Sequence, residues 1–286
     1  MSSQPNDPRG PSGEPCNGTA LWSPEVLTTA DGSPALWSPR YGQAFRSRHG
    51  AHSEARGVFL EGSGAAARLA AGRATRVLEV GLGAATNLAC TAGAALAAGT
   101  PLHYRAWEPE PLPAEALRLA DLGALAPQAF VDALLAARDA WGALATGDVL
   151  CWSYAVLELE LVVAPIDRLL DPTFAAGVER RLEAARGADR RATPATHARA
   201  DAIYLDPFSP DANPEPWSPA VLAALAQQLV PSGTLVSYSV RGEVRRALAA
   251  AGLQVRKVAG PPGGKREVLC ASRPAAPEAA QPGDPP

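Results

Sequence analysis

Short apolar runs alternate with helix-forming segments along most of this chain, and this alternation limits the folds it can adopt. The expected strands are residues 76–80, 102–108, 157–163, 202–206 and 233–239, and the expected helices are residues 84–98, 218–229 and 242–251. Strands that alternate with helices form a mostly parallel sheet with helices on both faces. The pattern therefore predicts an α/β fold.

The end of the chain adds a second constraint. Residues 253–258 and 266–271 flank a Pro-Pro-Gly-Gly turn, which predicts an antiparallel hairpin. A doubly wound sheet that ends in such a hairpin is the Rossmann-like plan of class I S-adenosylmethionine-dependent methyltransferases. Ligands of doubly wound sheets bind at the carboxyl ends of the strands. We therefore expect Glu79, Glu108 and Asp206, at or near strand ends, to share one edge.

Composition divides the chain into one domain and two tails. Residues 1–20 and 273–286 are rich in Pro, Ser, Gly and Ala, which predicts disorder. Residues 21–272 are expected to form a single domain, since apolar residues make up 47% of the chain and charged residues 19%. The polar segment 186–199 is expected to be a loop.

Charge and cysteine content exclude several classes of protein. The net charge of −3 argues against a strong non-specific nucleic-acid binder, although local basic clusters remain compatible with it. The four cysteines are scattered without ligand spacing, so no metal site is expected. No signal peptide and no apolar run of about 18 residues is visible, so we expect a cytoplasmic protein without a membrane span.

The segment VLEVGLGAATN, residues 77–87, combines a strand end, a glycine turn and a helix start. Gly81 and Gly83 allow a ligand to approach the backbone, and the helix N-terminus behind them favours polar or anionic groups. Thr86 replaces the third glycine of a dinucleotide fingerprint, which weakens an NAD interpretation. From this segment alone, an ordinary strand-to-helix turn is equally compatible.

Two acids at strand ends are candidate functional groups. Glu108 follows Gly83 by about one helix and one strand, and a carboxylate there suits a ribose diol. Asp206 ends an apolar run and opens a proline-rich loop in which Phe208 and Trp217 are the packing aromatics. A surface acid and a proline-rich surface loop are the respective alternatives.

Three basic clusters could contact phosphates. They contain Arg46, Arg48, His49 and His52; Arg241, Arg245 and Arg246; and Lys265 and Arg266. For each cluster taken alone, a solvated surface is the favoured interpretation, because arginine is common on surfaces.

The motifs of residues 201–272 occur in a specific combination. They are a strand ending on Asp206, Phe-x-Pro from Phe208, Asn-Pro-x-x-Trp from Asn213, Gly-Thr-Leu from Gly233, Val-Arg-Arg-x-Leu from Val244 and Lys-Arg-Glu from Lys265. Upstream, Glu54-x-Arg56 precedes Val-Phe-Leu. Residues 30–272 thus resemble the MnmC/MnmD-type family, whose members methylate 5-aminomethyl-2-thiouridine at the tRNA wobble position with S-adenosyl-L-methionine.

The resemblance implies an S-adenosylmethionine-dependent tRNA methyltransferase with Asp206 beside the transferred methyl group. The residues expected to hold the cofactor are Glu79, Gly81, Gly83, Asn87 and Glu108. Those expected to contact the tRNA substrate are Phe208, Trp217, Tyr238, Arg245, Arg246, Lys265 and Arg266.

The chain departs from the family pattern at several positions. Pro207 stands where Gly or Ala is usual, and Ala164-Pro165 replaces a Gly-Asp pair near the adenine, for which Asp167 is a candidate substitute. The glycine turn reads Ala84-Ala85-Thr86 instead of Thr-Gly-Leu, and Gly57 replaces a larger residue. Since little sequence follows Lys265-Arg266-Glu267, we expect the stand-alone methyltransferase form, without the FAD-dependent oxidase domain of bifunctional members. Methylation of another amine, in a small molecule or protein, and a non-catalytic scaffold remain open alternatives.

Overall fold

The computed structural model describes residues 25–47, 49–186 and 199–276. In chain order the strands are β1 (Val26–Thr28), β2 (Pro34–Ser38), β3 (Gln43–Ala44), β4 (Thr75–Val80), β5 (Leu102–Trp107), β6 (Val149–Tyr154), β7 (Leu157–Val162), β8 (Ala200–Leu205), β9 (Leu229–Ser237), β10 (Gln254–Ala259) and β11 (Glu267–Ser272). The helices are α1 (Ala51–Glu54), α2 (Ala65–Ala70), α3 (Thr86–Ala98), α4 (Ala114–Leu117), α5 (Gln128–Trp141), α6 (Pro172–Ala185), α7 (Pro219–Gln227) and α8 (Gly242–Ala250).

Eight of these strands form one sheet in the order β10-β11-β9-β8-β4-β5-β7-β6. The central strands β9, β8, β4, β5 and β7 are parallel, whereas β6 and the β10–β11 hairpin are antiparallel to their neighbours. The structure confirms the doubly wound α/β sheet and its closing hairpin. Strand β6 and helices α5 and α6 were not expected from the sequence.

The sheet is buried on both faces, because β4 and β8 are apolar on both sides. Helices α3 and α5 pack on one face, where Tyr104, Tyr204 and Phe130 are fully buried. Helices α6, α7 and α8 cover the other face around Ile203 and Leu222. These two layers fix the strand ends relative to each other.

Local capping explains where two of these helices begin. Ser218 accepts a hydrogen bond from the Val221 N–H, and Pro219 occupies the first turn of α7, as the sequence predicts. Asp171 caps α6 in the same way, with Pro172 following it. The Asp-Pro pair was therefore a usable signal for α6.

A second, three-stranded sheet of β1, β2 and β3 precedes the main one. From β3 the chain runs into α1 and then into a π-helical segment, Ala55–Glu61. Gly57 in this segment packs against Pro261 of the hairpin turn, and a Cβ at Gly57 would lie 2.9 Å from the proline ring. The small residue at position 57 thus allows the hairpin turn to pack closely.

Several expectations concern residues outside this description. The tail over residues 1–20, Arg48, most of the tail over residues 273–286 and residues 187–198 of the expected loop lie there, so the domain limits stay predictions. Within the described ranges, no helix is long and apolar enough to cross a bilayer. The same ranges hold no group of three or more His, Cys, Asp or Glu side chains placed to bind a metal ion.

Candidate active site

The carboxyl ends of three neighbouring strands meet at one edge of the sheet. Strand β4 lies between β5 and β8, and Val80 pairs with both Trp107 and Leu205. The residues that follow these three strands are therefore level with each other: they are Gly81, Glu108 and Asp206. The edge shared by the acids, expected from the sequence, is present.

The glycine turn brings the backbones of this edge together. Gly81 adopts a φ of 88°, and a Cβ there would lie 2.8 Å from the Asp206 carbonyl oxygen. Only glycine combines this conformation with so close an approach. Ala85, where the related family usually has glycine, adopts a left-handed φ of 59°.

Glu108 is held by backbone donors. One carboxylate oxygen accepts the Gly83 N–H at 3.0 Å, and the other accepts the Glu110 N–H at 2.9 Å. Burial raises the pKa of Glu108 to about 7, although the hydrogen bond from Gly83 acts to lower it. The glycine turn and the predicted ribose acid are thus joined directly.

Asp206 and Glu79 are linked through the amide group of Asn87. Its Nδ2 donates to Glu79 Oε1 at 2.8 Å and to Asp206 Oδ2 at 2.9 Å. The Tyr104 hydroxyl donates to the other oxygen of Glu79 at 2.8 Å. These four side chains form a buried polar cluster beneath the glycine turn.

Burial has the largest effect on the pKa of both acids in this cluster. It raises the pKa of Asp206 to about 7, while Arg46 lowers it and Glu54 raises it further. It raises the pKa of Glu79 to about 8, where Arg46 again acts in the opposite direction. Asp206 therefore changes charge near neutral pH, as a group that accepts and returns a proton must.

Arg46 is the residue that the sequence interpretation placed wrongly. We expected its cluster to lie on a solvated face, yet the Arg46 side chain is only 3% exposed. Its Nη1 donates to Asp206 Oδ2 at 2.5 Å. A buried carboxylate requires a cation or hydrogen-bond donors nearby, but the sequence gives no indication of which cation, 160 residues away, supplies them.

The loop after Asp206 is fixed by aromatic contacts. Phe208 stacks on Tyr41 with a centroid distance of 4.1 Å and contacts Phe45. The Trp217 indole N–H donates to the Phe208 carbonyl, and the Tyr238 hydroxyl donates to the Pro207 carbonyl, both at 2.8 Å. The substrate contacts predicted for Phe208, Trp217 and Tyr238 stay predictions, since these bonds and stacks already hold the loop.

The four basic residues predicted to contact tRNA differ in their exposure to solvent. Lys265 is half-buried, with its Nζ 4.0 Å from the centre of the Tyr238 ring, and burial lowers its pKa despite the nearby charges of Glu54 and Asp206. Arg246 and Arg266 are exposed, and Arg245 is partly buried. Helix α8 follows the carboxyl end of β9, and β11 pairs there with β9, so all four cations lie near the same edge.

Two buried oxygen atoms have no hydrogen-bond partner within the described residues. They are Asn87 Oδ1 in the polar cluster and Asp167 Oδ1 in the 3-10 turn after β7. Strand β7 pairs with β5, so Asp167 lies on the same edge as Glu108. Both atoms are acceptors that a ligand with N–H donors would satisfy.

Known proteins resemble the chain in sequence and in structure. Residues 174–274 match the model of the family described as S-adenosyl-L-methionine-dependent methyltransferase. The tRNA 5-methylaminomethyl-2-thiouridine biosynthesis bifunctional protein MnmC of Chromohalobacter salexigens is 35% identical over 91% of this chain and 34% of its own length. The MnmC protein of Pseudomonas aeruginosa is 35% identical over 81% of this chain and 32% of its own length. The chain thus spans about a third of the curated relatives it matches.

A solved structure supports the same assignment at the level of the fold. MNMC2 from Aquifex aeolicus superposes with a TM-score of 0.63 at 23% identity, covering 90% of this chain and 73% of that one. Residues 174–274 therefore match the class of the S-adenosylmethionine-dependent methyltransferases, and the chain shares its fold with MNMC2. Within that class its relatives are MnmC proteins, which confirms the resemblance drawn from the motifs.

Proposed function

We propose that this chain transfers a methyl group from S-adenosyl-L-methionine to the aminomethyl group of 5-aminomethyl-2-thiouridine at the tRNA wobble position. The observation that carries the proposal is Asp206, a buried carboxylate with a pKa near 7 beside the glycine turn. The names of the MnmC relatives, which refer to the methylated form of this nucleoside, support the choice of substrate. The proposal includes the cytoplasmic location expected from the sequence.

The residues on this edge fit the cofactor. Glu108 would accept hydrogen bonds from the ribose diol, since carboxylates suit such donors. Asp167 Oδ1 and Asn87 Oδ1 are buried acceptors without hydrogen-bond partners among the described residues, and they would suit the adenine amino group and the α-ammonium group respectively. Glu79, Gly81 and Gly83 would line the methionine end. When bound, the cofactor supplies an electrophilic methyl group on a sulfonium.

On the acceptor side, the protein must orient an amine and remove its proton. A primary amine is mostly protonated at neutral pH, so it lacks the free lone pair needed for attack. Asp206 as a carboxylate would bind the ammonium group and accept this proton. Lys265, Arg245, Arg246 and Arg266 lie on the same edge and would contact phosphates of the tRNA.

The test supplies labelled cofactor with tRNA that carries the aminomethyl group and with tRNA that lacks it. We expect label only in the first tRNA, and nuclease treatment should release it. Label in neither tRNA, together with measurable cofactor binding by calorimetry, would favour an enzyme that methylates another amine. Absence of cofactor binding would leave the non-catalytic scaffold.

A further inference from the structure

Arg46 binds one oxygen of the carboxylate that an incoming ammonium group would approach. The hydrogen bonds from the side chains of Arg46 and Asn87 to Asp206 end on the same oxygen, Oδ2. The ion pair is buried, with the two side chains 3% and 5% exposed. A second cation at this carboxylate would therefore meet the guanidinium at short range.

Glu54 offers the guanidinium a second partner. This acid is 6% exposed and ends α1, directly before the π-helical segment. Its carboxylate accepts the Ser47 N–H at 3.4 Å, and within the described ranges it forms no ion pair. Ser47 directly follows Arg46, so this hydrogen bond places the Glu54 carboxylate next to the Arg46 backbone. Burial alone would lower the pKa of Arg46, whereas Asp206 and then Glu54 raise it.

The charges around Arg46 decide whether it stays when an ammonium group arrives. The groups that face it are Asp206, Glu54, Glu79 and Tyr104, with the Phe59 ring 5.8 Å from the guanidinium carbon, and Lys265 faces Glu54 and Asp206 from the hairpin turn. Two cations on one buried carboxylate repel strongly. If Arg46 moves to Glu54, the guanidinium and the ammonium group no longer share one carboxylate.

We propose, building on the function proposed above, that Arg46 is a positioning residue for the methyl acceptor. Its guanidinium holds the Asp206 carboxylate until an acceptor ammonium group binds there, and it then pairs with Glu54. The site therefore selects acceptors that arrive as alkylammonium ions. Arg46 transfers no proton and no methyl group in this scheme.

The experiment measures binding of two nucleosides that differ only in charge. 5-Aminomethyluridine and the neutral 5-hydroxymethyluridine are titrated calorimetrically, with saturating S-adenosylhomocysteine, at pH values from 7 to 9.5. The proteins are the wild type, Glu54→Gln, Arg46→Met and the double variant. We expect Glu54→Gln to weaken binding of the aminomethyl probe about tenfold, because Arg46 then has no second acidic partner. This effect lies within the usual range of coupling between sites.

The same substitution should change the affinity for the hydroxymethyl probe less than twofold. In the Arg46→Met background it should change the affinity for the aminomethyl probe less than twofold. Arg46→Lys keeps the cation and should keep the sensitivity to Glu54→Gln. The control Glu61→Gln changes an exposed acid at the end of the π-helical segment and should leave both probes unaffected.

Three results would overturn the inference. The first is that Glu54→Gln lowers the affinity for both probes equally, and the second is that it lowers the affinity equally in the wild-type and the Arg46→Met backgrounds. The third is that the wild type shows no preference for the aminomethyl probe. Equal losses for both probes would indicate that Glu54 acts only on structure. If the coupling is found but the wild type methylates no tRNA, the proposed function fails while the role of Arg46 stands.

Discussion

Glu108 and Asp206 follow the two strands on either side of β4, and burial raises the pKa of each to about 7. They differ in what holds them. Glu108 accepts backbone N–H groups from Gly83 and Glu110, whereas Asp206 accepts side-chain donors from Arg46 and Asn87.

This difference separates what the fold provides from what particular residues provide. Backbone donors persist through most substitutions, so the position of Glu108 depends mainly on the turn. The position and charge of Asp206 depend on the identity of two side chains from distant parts of the chain. We therefore expect substitutions of neighbouring side chains to leave the position of Glu108 unchanged and to alter the position and charge of Asp206.

The largest effect is expected for Asp206→Asn, which keeps the shape of the side chain but removes the proton acceptor. Methyl transfer should fall by about 10²- to 10⁴-fold, as for loss of a general base. Cofactor affinity should change less than about threefold. Initial rates with labelled cofactor and calorimetry measure the two quantities.

The matched control is Asp211→Asn, in the same loop. Asp211 is exposed and pairs with Arg241, so its substitution should keep the rate of methyl transfer within about twofold of the wild-type rate. A transfer rate of Asp206→Asn within tenfold of wild type would exclude the proposed role of Asp206.

Glu108→Gln should lower the affinity for the cofactor and leave the rate of methyl transfer nearly unchanged, the reverse of Asp206→Asn. Loss of charge-assisted hydrogen bonds to the ribose costs about 1.5–3 kcal/mol, which corresponds to roughly a 10- to 100-fold loss of cofactor affinity. The rate at saturating cofactor should stay within about threefold. Glu110→Gln is the control, because Glu110 contributes its backbone N–H and its side chain is exposed. Unchanged affinity in Glu108→Gln would contradict the ribose assignment.

The pH dependence of transfer tests the side-chain environment of Asp206. Its carboxylate form is needed, and burial raises its pKa to about 7 in the free protein, so kcat/KM for the acceptor should fall about tenfold per unit below pH 7. Arg46 lowers this pKa, so Arg46→Met should move the acid limb upward by roughly one unit. An unmoved limb in Arg46→Met would show that another group titrates.

The smallest effect is expected for the aromatic stack that packs against the loop after Asp206. Tyr41→Ala removes the stack on Phe208, worth about 0.5–1.5 kcal/mol, and should raise the acceptor KM roughly two- to tenfold. Cofactor affinity should not change. Tyr154→Ala removes a comparable stack with Trp152 on the far edge strand β6, and it should lower thermal stability without affecting the acceptor. Equal KM changes in both variants would contradict a local role for Tyr41.

The sequence was sufficient to predict the edge on which the site lies. Parallel strands align their carboxyl ends, so acids following β5 and β8 had to be neighbours once both strands were recognised. The glycine turn was found for the same reason, since it directly follows β4, whereas Asn87 was predicted from the resemblance to the family.

The acceptor side could not be predicted in the same way. Strand β3 has only two residues, too few to show a periodic pattern, and the chain after it gives no local sign that it turns inward. Arg46 stands in a basic cluster that reads as surface, and only the tertiary fold brings its side chain to Asp206. Contacts between positions so far apart carry no local signal.

The hydrogen bonds between strand β3 and the loop after Asp206 also have a consequence for synthesis of the protein. Gln43 exchanges two hydrogen bonds with Ser209, at 2.7 and 3.3 Å, across 166 residues of chain. At translation rates of about 5–20 residues per second, the N-terminal segment waits roughly 8 to 33 seconds on the ribosome for its partner. During that time Arg46 and the aromatic residues around it have no docking surface, so a chain arrested before β8 would expose them to chaperones and proteases.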